Sequence, residues 1–423
     1  LTLTLTLALT PNPNPNPNLH SIMEALLSNL REEPGVAAVA GVLAAAVGFW
    51  MLAPPSGKGA RRGRRQLEDL VRSNILELQP YRCARDDYDS GVLLDANENS
   101  FGPPFDKKRN SLVLERYPSP YLWELKQKIA KFRGVRKEQI FLGVGSDEGL
   151  DMLIRIFCNP REDSILITPP TYGMYKVCAK VNDVNIQVAP LTPSFELDIP
   201  AMVAAADDTT KIMFVTSPGN PTARAISHAQ VEELCNSSFD GIIALDEAYV
   251  DFSEEGSACH LLDKYPNLII FQTMSKAFGL AGIRMGMAYA SEAIIQIFNN
   301  VKLPYSINKL TEEIALDVFD DLSKLYSNIE KIKTERARVM AQLAAFDFVA
   351  LVHPSDTNFV LFKVPKYAKE VYKRMAESGC VVRYRGTELH CTDCIRATVG
   401  TPAENDTFLR MLPQIYAEVA NKC

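Results

Sequence analysis

Lys276 follows the apolar run NLIIF (residues 267–271) within the stretch FQTMSKAFGLAGIRMG. An amine placed there can condense with an aldehyde. Asp246, in LDEAYVDF, supplies a carboxylate for a protonated ring nitrogen. Asn220, in SPGNPT, and Tyr249 supply donors for a ring oxygen, and Tyr172, in TPPTYGMY, offers a ring to stack on a flat ligand. In GVGSDEG, Ser146 and Asp147 sit where a helix start would aim free N–H groups at a phosphate, with Ser275 and Arg284 as further partners. Each residue alone has an ordinary reading. Lys276 is a solvated strand-end residue, Asp246 and Asn220 are turn formers, Arg284 is half of a surface ion pair, and Ser146 or Asp147 is a helix cap. Together they meet the demands of one ligand that carries an aldehyde, a ring nitrogen, a ring oxygen and a phosphate. That ligand is pyridoxal phosphate.

These residues need a scaffold that brings them to one edge. Short Ile/Val-rich runs (SILITPP, KIMFVTSPGNP, GIIALDEAY, NLIIFQTMSK) end in turn residues and alternate with segments of helical spacing such as HAQVEELCNS. Continuous apolar runs of this kind predict strands buried on both faces of a mostly parallel sheet. Ligands bind such sheets beyond the carboxyl ends of the strands. Tyr172, Asn220, Asp246, Tyr249 and Lys276 all fall at those ends. After about residue 310 the texture becomes long and charge-rich, then gives TNFVLFKV, GCVVRYRG and CIRATVG, which predicts helix followed by a smaller α+β unit.

Bulk composition narrows the classes. The 423 residues, 47% apolar and 23% charged, exceed one ordinary domain and have the balance of a globular chain. A net charge of −6 gives no basic excess for nucleic acid. Nine cysteines in no framework argue against a disulfide scaffold and for a reducing compartment. Cys391 and Cys394 have C-x-x-C spacing, but no second pair completes a zinc site, so no metal is expected. The sequons at Asn236 and Asn405 read as chance matches.

The first 65 residues differ in kind. LTLTLTLALTPNPNPNPN is dipeptide repeat, and residues 35–53 form a nineteen-residue stretch without a charge, followed by GKGARRGRR. A membrane anchor, a cleaved presequence directing the chain to a plastid or mitochondrion, and a buried helix all remain open for it.

SPGNPTA, LDEAYVDF, TMSKAFGLAGIRMG and TPPTYGMY resemble the fold type I pyridoxal-phosphate aminotransferases, and most closely their histidinol-phosphate branch. The resemblance spans roughly residues 75 to 420, with LDANENSFGPP, RYPSP, GVGSDEG, TNFVLF and IRATVGT. It implies a large domain with a mostly parallel seven-stranded sheet sandwiched by helices, plus a smaller α+β domain. The expected division is residues 1–65 as targeting or anchor segment, 66–125 as N-terminal arm and part of the small domain, 126–310 as the large domain, and 311–423 as the C-terminal small domain. It implies Lys276 as the Schiff-base lysine and base, Asp246 on the ring nitrogen, Tyr249 and Asn220 on the ring oxygen, and Tyr172 stacked on the ring. Ser146, Asp147, Ser275 and Arg284 would hold the phosphate. Tyr117, in RYPSP, would reach the cofactor of a neighbouring subunit, which implies a homodimer with shared sites. Arg396 matches the carboxylate binder, and Arg383 and Asn358 the substrate-phosphate contacts. The implied reaction is transamination between L-histidinol phosphate and 2-oxoglutarate. Related aminotransferases of aromatic or other amino acids and a phosphothreonine-type decarboxylase are the alternatives. Ala223 departs from the pattern: it stands where the family has a glycine after NPT.

Overall fold

The computed structural model describes residues 65–79 and 113–422. The expectations for residues 1–64, including the apolar stretch 35–53, and for LDANENSFGPP lie outside the described residues. Among the described residues, no helix is long and apolar enough to cross a membrane.

The strands form where β-branched and apolar residues run together between turns. They are β1 (Ile140–Val144), β2 (Ser164–Ile167), β3 (Asn185–Val188), β4 (Thr210–Thr216), β5 (Ile242–Asp246), β6 (Leu268–Thr273) and β7 (Met285–Tyr289). The described residues build them into one seven-stranded sheet, ordered β1-β7-β6-β5-β4-β2-β3. Only β7 runs antiparallel to its neighbours. Alternate residues of one strand serve opposite faces: Met213 and Val215 join one core cluster, Ile212 and Phe214 the other. Burying each such side chain contributes about 1.5–3 kcal/mol, which explains why these strands read as unbroken apolar runs.

The crossover segments supply the covering helices: α1 (Trp123–Arg133), α2 (Gly145–Phe157), α3 (Met174–Val181), α4 (Ile199–Ala205), α5 (His228–Cys235) and α6 (Glu292–Val301). Beyond them the charge-rich stretch is two helices, α7 (Lys309–Asp320) and α8 (Ser323–Ala344). The break falls at Asp321, whose carboxylate accepts the Ser323 N–H (2.9 Å). A four-stranded sheet follows, ordered β10-β11-β9-β8, from β8 (Leu351–Val352), β9 (Phe359–Lys363), β10 (Arg383–Tyr384) and β11 (Cys394–Thr398). Helices α9 (Ala368–Glu377) and α10 (Pro402–Ala420) pack on it around Phe362, Met375, Leu412 and Ile395. The sequon residue Asn405 is 2% exposed and holds Glu335 and the Gly400 carbonyl, so it is a core residue of this unit.

Candidate active site

The carboxyl ends of β2, β4, β5 and β6 and the N-terminal end of β7 meet at one edge, and the polar residues lie there. Asp246 closes β5 and is 3% exposed. Its Oδ2 accepts from the Tyr175 hydroxyl (2.7 Å) and its Oδ1 from the Ala248 N–H (3.1 Å). Burial raises its pKa to about 6, while the Tyr175 hydrogen bond pulls the other way. A buried carboxylate near neutrality, with two donors already fixed, is suited to a cationic partner.

Lys276 lies three residues past the end of β6. Its Nζ stands over the Tyr249 ring at 5.4 Å. Burial lowers its pKa, and Arg396 and Arg284 add to the lowering, while Asp246 and Asp147 oppose it. The amine is thus held toward its neutral, nucleophilic form. Tyr249 is 7% exposed, and burial pushes its hydroxyl up to about 12 despite the Arg396 charge, so it stays a protonated donor.

The phosphate cradle is built from backbone. Helix α2 begins at Gly145 with Val144 as its flanking residue and no side-chain cap. Ser146 and Asp147 therefore sit inside its first turn, and the capping alternative for them does not hold. In such a turn the N–H groups lack intrahelical partners. The cradle is also tightly closed. Gly145 has φ +72°, and its N–H donates to the Arg284 carbonyl (2.9 Å). A Cβ on Gly286 would stand 2.1 Å from the Gly145 carbonyl carbon, so only glycine permits this approach of β7 to the helix start. The Arg284 guanidinium lies against Ser275 Oγ (3.3 Å) and 3.9 Å from Asp147. Tyr172 donates to Asp147 (3.1 Å). A ligand phosphate here would meet α2 N–H groups, a hydroxyl and a guanidinium together, and the donor set fits one.

The small sheet covers this edge. Arg396, on β11, donates to the Asn220 side-chain oxygen (2.5 Å) and stands 5.1 Å over the Phe359 ring. Phe359 meets Tyr249 edge-on at 5.2 Å. Arg383 pairs in register with Arg396. Asn358 enters through its neighbours: it precedes Phe359, and its carbonyl accepts the Val399 N–H (2.9 Å). Tyr117 is 51% exposed and stacks on Tyr305 (4.5 Å between ring centroids).

The turn with the departing alanine takes a backbone conformation that suits a glycine. Ala223 is fully buried at φ +62°, the left-handed conformation that a glycine favours. Its carbonyl accepts the Asp356 N–H (2.7 Å), and Asp356 Oδ2 in turn accepts the Ala225 N–H (2.9 Å). Holding that alanine costs about 1–2 kcal/mol, offset by contacts that tie the Asn220 turn to the small sheet.

Sequence reasoning missed Tyr175. It is fully buried, bridges Asp246 and Thr216 Oγ1 (2.9 Å), and stacks on Phe214 (4.6 Å). The signal was its place three residues after Tyr172 on the same helix start, where the two rings meet edge-on at 5.6 Å. Arg385 and Glu388 were missed too. Cys391 and Cys394 are buried free thiols packed in the core cluster that also holds Met213 and Val215 of β4.

A sheet of this order, with a lysine, a carboxylate and a phosphate cradle at one edge, has close counterparts. Residues 90–412 match the family described as aminotransferase class I and II, and the chain belongs to that family. The curated histidinol-phosphate aminotransferase of Parabacteroides distasonis is 42% identical over 350 residues, covering 82% of this chain and 98% of that one. That of Saccharomyces cerevisiae is 41% identical over 384 residues, covering 84% and 99%. Within the class, the chain therefore belongs with the histidinol-phosphate aminotransferases. The crystal structure of the Sinorhizobium meliloti histidinol-phosphate aminotransferase, in complex with pyridoxal-5'-phosphate, superposes with a TM-score of 0.67 at 24% identity. It covers 76% of this chain and 90% of that one, and shares the fold.

Proposed function

We propose that this protein moves an amino group between L-histidinol phosphate and 2-oxoglutarate, giving imidazole-acetol phosphate and glutamate, with pyridoxal 5'-phosphate as cofactor. The observation that carries this is the Lys276 amine, held toward neutrality between Asp246, Tyr249, Arg284 and Arg396. The 42% identity to a histidinol-phosphate aminotransferase supports the choice of substrate.

When bound, the cofactor would supply an aldehyde for condensation with an amine and an electron sink for the bond to the substrate's α-hydrogen. The chain's own residues do the rest. Asp246 Oδ atoms hold the ring-nitrogen proton. Tyr249 and Asn220 donate to the ring oxygen. Tyr172 would cover the ring face, and the α2 N–H groups, Ser275 and Arg284 would grip the phosphate. Lys276 Nζ, neutral, takes the α-proton and returns it one position away. Arg396 gives up Asn220 as a partner when a carboxylate arrives, because a guanidinium–carboxylate fork is the stronger bond. Tyr117 completes the phosphate grip of a second copy, so the working form is a homodimer.

A spectral titration of the holoenzyme tests the reading. Histidinol phosphate should convert the cofactor absorbance at far lower concentration than phenylalanine. Equal conversion by the two donors, or preference for phenylalanine, would replace the substrate assignment with the aromatic alternative.

A further inference from the structure

The loop joining β10 to β11 carries a charged pair that the mechanism above does not use. Arg385 extends β10, its backbone N–H donating to the Cys394 carbonyl (2.8 Å). Residues two apart on a strand share a face, so Arg385 projects on the side of Arg383, which is paired across with Arg396. Three guanidinium groups thus share one face of a two-strand ladder. The positive charges of Arg385 and Arg383 both bear on Arg396, and that of Arg385 reaches the Tyr249 hydroxyl. Glu388 closes on Arg385 at 2.6 Å, with side chains 27% and 16% exposed respectively. The Glu388 N–H donates to the Arg385 carbonyl (3.0 Å), which fixes the turn. His390 Nε2 donates to the Leu191 carbonyl (3.2 Å), anchoring the loop on the large domain.

The pair is incompletely satisfied. Arg385 Nε and Glu388 Oε2 are both buried without a hydrogen-bond partner. An unpaired buried group in a folded protein asks for a ligand or a role. The proposed reaction supplies one. One half of it presents carboxylates, the other a phosphate dianion with three oxygens, and both must use the same site. Arg396 alone provides a fork for a carboxylate. A phosphate can take a second fork if Arg385 exchanges Glu388 for it, a swap of one anion for another that leaves no guanidinium unpaired.

We infer that Arg385, beside Arg383 and Arg396, is a further specificity-determining residue that adapts the substrate anion subsite to a phosphate, and that Glu388 holds it when a carboxylate is bound. This inference rests on the histidinol-phosphate reading. Holoenzymes of the wild type, Arg385→Gln and Glu388→Gln are titrated calorimetrically with propyl phosphate and with glutarate, and both half-reactions are timed. Arg385→Gln should weaken propyl phosphate, and lower kcat/KM for histidinol phosphate, by about 10- to 100-fold, the range for a hydrogen bond to a charged group. Glutarate and glutamate should change by no more than about threefold, since Arg396 is intact. Glu388→Gln frees Arg385 and should tighten propyl phosphate relative to glutarate. Equal losses with both ligands, or none with either, overturn the inference. Should Arg385→Gln fail to fold, an unchanged phosphate-to-glutarate ratio in Glu388→Gln overturns it as well. A wild type that does not turn over histidinol phosphate overturns the functional reading and this inference with it. Turnover by the wild type with parallel losses in Arg385→Gln overturns the inference alone.

Discussion

Burial lowers the pKa of several lysines among the described residues, Lys302 included, and of the pair Lys126 and Lys276 the less deeply buried is the one in the site. Lys126, on α1, is 2% exposed, and burial with the nearby Lys302 charge lowers its pKa to about 7. Lys276 is only partly buried, and its pKa is lowered by the same cause together with Arg396 and Arg284. The surroundings make the difference. Lys126 faces the Trp123 ring at 5.1 Å, a packing contact. Lys276 faces the Tyr249 ring, the Asp246 carboxylate and two arginines from different elements. Desolvation makes an amine neutral; a site also needs access, a counter-charge and an anion cradle within reach of it.

The sharpest way to break this contrast is to remove the site lysine. Lys276→Ala should lower turnover by about 10,000-fold or more, as both the covalent anchor and the proton carrier are lost. Cofactor should still bind through Asp246 and the α2 cradle, with an altered absorbance band. Turnover within tenfold of the wild type, measured by glutamate formation from histidinol phosphate and 2-oxoglutarate, would end the assignment.

A smaller effect is expected at the carboxylate that gives Lys276 its setting. Tyr175→Phe deletes the 2.7 Å hydrogen bond that holds Asp246 toward its charged form. The Asp246 pKa should then rise above its value of about 6. The sign follows: the cofactor's ring nitrogen needs the ionised carboxylate, so affinity falls as pH drops through that pKa, and in the variant the fall begins at higher pH. Near pH 6.5 cofactor binding should weaken about tenfold, the cost of one bond to a buried charge, and the gap should narrow by pH 8.5. A pH-independent loss would mean that Tyr175 only packs.

Much of this site is legible in the sequence, for a physical reason. Parallel strands bury both faces, so the first polar residue after each apolar run marks the edge where ligands bind, and Asp246, Asn220 and Lys276 stand out there. Residues that act on others from within the core do not stand out. Tyr175 reads as one more aromatic on a helix face, and only the sheet order β5-β4-β2 brings it to Asp246. Arg385 and Glu388 sit in a loop whose register against β11 no periodicity encodes. Ala223 departs from the glycine of the family pattern, and only the neighbouring contacts, which no sequence pattern shows, hold it at a positive φ.

The least effect on catalysis belongs to the other lysine. Lys126→Met keeps length and packing while removing the buried amine. Below pH 7 both folded and unfolded wild type carry the Lys126 proton, and the folded state bears the full desolvation cost. Between pH 7 and the usual lysine range the unfolded chain holds more protons, so wild-type stability recovers as pH rises. The variant should therefore be more stable at pH 6, by about 1 °C in Tm per kcal/mol recovered, less the cation–π contact with Trp123, worth about 0.5–1 kcal/mol. Its advantage should shrink toward pH 10, and turnover should stay within about twofold of the wild type, because nothing at Lys126 touches the anion cradle or Asp246. A Lys126→Met protein that melts higher at pH 6 yet fails to turn over would place the second buried amine in the reaction, and the contrast between the two lysines would not stand.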